Sequence, residues 1–153
     1  MSVTTKVNFD MDGVLCDWVH AFESNCDIPL EVFNTMGTAE KNAIKETLFT
    51  YDFFRNMRPI AKGMQMLAAE TNAHSTDVCI LSASGWINSE AVRRAKLDWI
   101  AEHIGDIEVI FVDKVEMKGQ HVDSNYFINI LVDDRQKAID AWEAAGGAGL
   151  LFV

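Results

Sequence analysis

Short apolar runs alternate with longer segments of helical period along this chain. The runs at residues 6–9, 78–81, 109–112 and 128–132 are rich in Val, Ile or Phe and too short for helices, as expected of strands buried on both faces. A fifth lies at 149–153. Between them, Met64, Leu67, Ala68 and Thr71 share one face of a helix predicted over 61–72, and Val92, Ala95, Trp99 and Ile100 share a face of another over 88–103. Asn88 is placed to cap the second helix and Gly105 to end it. Ala138, Ala141, Trp142 and Ala145 form a last stripe, stopped by Gly146 and Gly147.

Strands alternating with helices predict an α/β fold, with a central parallel sheet covered on both faces and right-handed crossovers. Ligands in such sheets bind at the carboxyl ends of the strands. One interval breaks the alternation. Residues 17–59 carry helix-like pieces but no good strand, and hold Trp18, Phe22, Phe33, Phe49, Tyr51, Phe53 and Phe54. This segment is read as a small helical cap inserted after the first strand, leaving residues 1–16 and 60–153 as the core domain.

Composition narrows the partners. The chain has 153 residues, 49% of them apolar, which is enough for one domain with a real core. A net charge of −10 argues against binding a nucleic acid polymer or an anionic membrane, since phosphate backbones are held by Lys and Arg. The stretch MSVTTKV has no basic segment leading into a long apolar one, so neither secretion nor anchoring is expected. Cys16, Cys26 and Cys79 lack CxxC spacing and are expected to be reduced thiols in a cytoplasmic protein.

The residues that end the strands carry the candidate chemistry. The first run ends in Asp10 and Asp12, the second in Ser82, and the fourth in Asp133 and Asp134, while Lys114 and Lys118 follow the third. Four carboxylates on one sheet edge repel one another unless some are protonated or a cation intervenes. A hard divalent ion with oxygen ligands fits, Mg2+ best, because it takes one or two carboxylates and completes its shell with water and phosphate oxygens. No His and Cys cluster lies nearby to suggest zinc. Asp10 is then a candidate nucleophile toward phosphorus, and Asp12 a candidate acid and base for the leaving oxygen and the water. Gly13 permits the turn that closes the loop on a phosphate. Ser82, with the backbone of Ala83 and Ser84, is placed to hold phosphoryl oxygens, and a lysine to offset charge. Lys118 is preferred to Lys114 for that lysine. Singly, each feature has a bland reading: a solvated turn, a helix cap, or acids at a helix start before Arg135.

Taken together, DMDGV, CILS, a lysine and ILVDD resemble the four motifs of the haloacid dehalogenase superfamily of phosphohydrolases, over nearly the full length. The resemblance implies a Rossmann-like three-layer α/β core with a mobile cap, Mg2+, an Asp10 nucleophile and an Asp12 acid/base. It also implies a metal held by Asp10, the backbone carbonyl of Asp12, and Asp133 with Asp134. An acid at position 12 points to phosphatases or phosphomutases rather than dehalogenases. DMDGVLCDW, RPIAKG and LVDDR are similar to the 5'(3')-deoxyribonucleotidase branch, which implies a small phosphate ester, a nucleoside monophosphate, as substrate and makes Trp18 a candidate for packing against the base. The chain departs from that branch in Ser82, Ala83, Ser84 and Gly85, where the branch has Thr, Ser, Pro, and in the longer path from Lys118 to Asp133. A phosphatase or phosphotransferase for another small ester such as a sugar phosphate, and a non-catalytic metal-binding module, stay open at this point.

Overall fold

Each of the five apolar runs is a strand: β1 (Thr5–Phe9), β2 (Thr76–Ala83), β3 (Glu108–Val112), β4 (Ile128–Asp133) and β5 (Ala148–Leu151). In the computed structural model, which describes residues 3–153, they form one parallel sheet in the order β3-β2-β1-β4-β5. The first two residues of the amino-terminal stretch lie outside the described residues. From β1 the chain builds outward through β2 to β3, then returns to place β4 on the other side of β1. The order of strands therefore reverses between β1 and β4, where a parallel sheet leaves a crevice at its carboxyl edge.

Helices cover both faces, giving the three-layer α/β fold. One apolar cluster joins Val7, Phe9, Ile80 and Val132 of the sheet to Leu67 of α5 (Ala61–Thr71) and to Val92, Ala95, Trp99 and Ile100 of α6 (Ser89–His103). The other joins Leu81 and Leu131 to Ala138, Ile139 and Trp142 of α7 (Gln136–Ala144), with Val115 and Met117 of a 3-10 helix (Val115–His121) packed beside them. Successive side chains of a strand point to opposite faces. Asp10 and Asp133 thus share the face covered by the 3-10 helix, whereas Ser82 shares the face covered by α6.

Two local expectations need correction. Asn88 does not cap α6: it sits in the left-handed region at φ 51°, and its Nδ2 donates instead to the carbonyls of Glu46 at 3.2 Å and Phe49 at 2.9 Å. The left-handed backbone turns the side chain away from the α6 amides toward the end of another helix. On α5 the core-facing side runs through Gly63 and Leu67, while Ala68 and Thr71 are exposed. Gly63 sets that rotation, because a Cβ there would overlap the Val14 carbonyl. Gly105, at φ 108°, does end α6, its N–H donating to the Ile100 carbonyl at 2.9 Å.

Between β1 and α5 stand four helices, α1 (Trp18–Asn25), α2 (Leu30–Thr35), α3 (Thr38–Leu48) and α4 (Tyr51–Arg55), and no strand. The segment leaves and rejoins the core side by side. Cys16 bridges to Pro59, Asp17 N–H donates to the Arg58 carbonyl at 2.9 Å, and Ile60 N–H to the Leu15 carbonyl at 2.8 Å. Phe53, Phe54 and Met57 belong to the same apolar cluster as the sheet residues, and the fully buried Trp99 of α6 donates through Nε1 to the Met57 carbonyl at 2.7 Å. The three cysteines are free, with Cys16 and Cys79 buried. Burial, then the neighbouring Asp12, pushes the Cys16 thiol well above its usual range, and burial pushes Cys79 up to about 12. Among the described residues no helix is long and apolar enough to cross a membrane.

Candidate active site

The last residue of β1, Phe9, lies opposite Val132, so the next residues out, Asp10 and the β4 terminal residue Asp133, emerge side by side. The Asp10 N–H donates to the Val132 carbonyl at 2.9 Å and continues the ladder to the sheet edge. Carboxylate oxygens of Asp10, Asp133 and Asp134 lie within 4.8 Å of one another. Lys118, 1% exposed, donates to Asp10 Oδ1 at 2.9 Å and Asp133 Oδ2 at 2.7 Å. Burial alone lowers such an ammonium, but the two carboxylates outweigh it and hold Lys118 above its ordinary value. Asp133 is raised by burial and by Asp10, an effect that Lys118 and the Arg135 N–H, 3.0 Å from Asp133 Oδ1, only partly offset.

Asp134 shows where compensation is missing. Although the residue stands at the surface, loss of water around its carboxyl, then repulsion from Asp10 and Asp133, pushes it up to about 8. Both oxygens of Asp133 are engaged, whereas among the described residues Asp134 and the free side of Asp10 face each other without a positive partner. Gly13 makes room for this arrangement. It turns the chain at φ 85°, and a Cβ on it would overlap the Asp134 carboxylate.

Asp12 belongs to a second arrangement. Its Oδ2 accepts from Lys96 Nζ at 3.0 Å and its Oδ1 faces the Cys16 thiol at 3.5 Å. Lys96, also 1% exposed, donates to Ser82 Oγ at 2.8 Å and the Ala83 carbonyl at 3.3 Å, with its ammonium 5.4 Å from the centre of the Phe54 ring. Counted as fully ionised, the four carboxylates exceed the two buried ammonium groups by two charges, a deficit that a proton on Asp134 lessens and that one divalent cation would fill. The donors are all oxygens, which suits a hard cation such as Mg2+ better than zinc.

The structure brings Asp10, Asp133, Asp134 and Lys118 together, and sets Asp12 with Ser82 beside them. It does not bring in Lys114, whose ammonium lies over the Trp86 ring at 5.6 Å. Ser84 turns aside, its Oγ accepting from Arg93 Nε at 2.9 Å while Arg93 also pairs with Asp113 at 2.9 Å. Trp18 is packed among the aromatics of residues 17–59, stacked on Phe22 at 5.3 Å and edge-on to Phe49 and Phe53, both at 6.4 Å. Lys96 was missed in the sequence. Its signal was a lysine set inside the apolar stripe of Val92, Ala95 and Trp99, where an unpaired charge is too costly to keep.

No protein-family model and no curated protein matches the chain in sequence. Solved structures do match in shape. A haloacid dehalogenase-like family hydrolase from Streptococcus pneumoniae aligns over 99% of this chain and 85% of its own, with a TM-score of 0.65 at 12% identity. A D,D-heptose 1,7-bisphosphate phosphatase from Burkholderia thailandensis aligns over 94% and 75%, with a TM-score of 0.55 at 13% identity. In a structure of a Pnkp1/Rnl/Hen1 complex, the matched chain shares 18% identity and a TM-score of 0.61 over 99% of this chain, which spans only 47% of the matched one. This chain has the fold of haloacid dehalogenase-like hydrolases.

Proposed function

We propose that this protein is a Mg2+-dependent phosphomonoesterase that works through an aspartyl phosphate on Asp10, with a (deoxy)nucleoside monophosphate as substrate. One observation carries the reading: Asp10 and Asp133 share the buried Lys118 while Asp134 faces Asp10 with no cationic side chain of its own among the described residues. The superfamily membership implied by the four motifs, and the fold shared with a phosphatase, support it.

Asp10, Asp134 and the backbone carbonyl of Asp12 would hold Mg2+, with Asp133 beside them. There Mg2+ supplies positive charge to the phosphoryl oxygens. An Asp10 oxygen attacks phosphorus as the bond to the leaving oxygen breaks, and Asp12 gives that oxygen its proton. Asp12 then takes a proton from water, whose oxygen attacks the same phosphorus and frees Asp10 and inorganic phosphate. Lys118 braces the nucleophile. Lys96 ties Asp12 and Ser82 to one cation, so acid/base and phosphoryl-binding groups are set in position together.

Phosphate release from a panel of nucleoside monophosphates, sugar phosphates and p-nitrophenyl phosphate, with Mg2+ and with EDTA, tests the reading. Metal-dependent release is expected, abolished in Asp10→Asn and severely reduced in Asp12→Asn. Full activity in Asp10→Asn would overturn the nucleophile, and no release from any ester would overturn the function.

A further inference from the structure

Of the tryptophans, Trp99 and Trp142 are fully buried and Trp18 is enclosed by phenylalanines, but Trp86 is 69% exposed. Of the other exposed apolar residues, Val3, Phe127 and Ile128 lie at the amino ends of β1 and β4 on the opposite edge of the sheet, while Leu151 and Val153 lie at the carboxyl end of the outer strand β5. Trp86 lies three residues beyond Ala83, the last of β2, on the edge that carries the carboxylates.

The loop that presents it is held at both ends. Ser84 N–H donates to the Val112 carbonyl at 2.9 Å, and Arg93 holds its hydroxyl at 2.9 Å. Gly85, at φ 67°, turns the chain outward, and Asn88 fastens the far side to the Glu46 and Phe49 carbonyls. Lys114, leaving β3, lies over the ring at 5.6 Å and makes no ion pair among the described residues. A large aromatic kept in water on a fastened loop loses burial energy and gains a fixed, open face. Neighbouring strands are about 5 Å apart, so the ends of β2 and β3 lie about 5 and 10 Å sideways from Asp10. The sugar of a nucleoside monophosphate bridges such a gap between phosphorus and base.

We propose that Trp86, backed by Lys114, is the platform on which the planar ring of the leaving group stacks, selecting nucleoside phosphates over sugar phosphates. This rests on the phosphomonoesterase reading and names the residue that recognises the substrate. Trp18, the aromatic singled out in the sequence, has Phe22, Phe49 and Phe53 around its ring, whereas the Trp86 ring is open.

The test compares kcat/KM for deoxyadenosine monophosphate and for ribose phosphate. In Trp86→Ala the preference for the nucleotide is expected to fall about tenfold, the value of one stacked base, and Trp86→Phe is expected to retain most of it. An unchanged preference in Trp86→Ala overturns the proposal. Acrylamide quenching of the Asp10→Asn protein with Mg2+ gives a reading independent of turnover. Trp86, the most exposed tryptophan among the described residues, is expected to dominate the quenchable emission, with deoxyadenosine monophosphate protecting it and ribose phosphate not; equal protection, or none, also overturns the proposal. If the wild type releases phosphate from neither ester, the phosphatase reading fails, and the quenching result alone decides the fate of the Trp86 platform.

Discussion

Lys96 and Lys118 are equally buried but answer to different acids, and the difference is measurable. Lys118 sits between Asp10 and Asp133, whose side chains are 10% and 0% exposed, while the Asp12 partner of Lys96 keeps 28% of its side chain in solvent. Removing one member of a buried ion pair strands the other without compensation. Lys118→Met is therefore expected to cost about 3–5 kcal/mol in urea denaturation without metal, and Mg2+ to restore part of it. Lys96→Met is expected to cost less stability, because water reaches Asp12. It should slow turnover about a hundredfold, as loss of one preorganised donor does, and steady-state kinetics on the folded variant checks this.

At the scale of elements, the point where the chain leaves the sheet for helices α1 to α4 and returns from them turns on Asp17. Its Oδ1 accepts from the His20 N–H at 3.1 Å and caps α1, while its Oδ2 accepts from Arg58 Nε at 3.0 Å where the segment returns. Partial burial works against the charged form, but the His20 N–H and the Arg58 guanidinium prevail and hold this carboxyl below its ordinary value. A group whose folded value is depressed adds stability above its unfolded value, about 4, and loses it as pH falls through the folded one. Asp17→Ala is expected to cost about 1 kcal/mol at neutral pH through the cap, with little from the solvent-screened Arg58 pair. The gap from wild type should close in acid below the folded value, which urea midpoints at neutral and acidic pH read directly.

For the whole molecule, the charge deficit at the sheet edge ties stability to metal and pH. Without metal, folded Asp134 keeps its proton up to about 8, whereas an unfolded aspartate loses it near 4. The folded state then holds the extra proton between those values, so this carboxyl makes stability fall as pH rises through the window. Melting temperature in EDTA is expected to drop across it, and saturating Mg2+ to flatten the drop and raise the midpoint. Asp134→Asn should remove both the slope and most of the Mg2+ response.

Local pattern by itself determined the layer architecture and the acids. Apolar runs of four or five residues cannot bury as helices, and alternating them with amphipathic segments leaves a parallel sheet as the consistent solution, so strands and strand-end carboxylates were legible from Asp10 to Asp134. Pattern also marked residues 17–59 as helical pieces without a strand. Position in the chain already favoured Lys118 over Lys114, but tertiary structure decided which acids each buried lysine meets. Lys114 and Lys118 are four residues apart in the same kind of segment, yet only the face covered by the 3-10 helix carries Lys118 to Asp10 and sends Lys114 to Trp86. Lys96 lies far along the chain from Asp12, and its charge is tolerable inside α6 only because β2 and the β1 loop bring Ser82 and Asp12 to it. Which side chains share a strand face follows from alternation within a segment; which segments cover that face follows from strand order, and strand order is a property of the folded sheet.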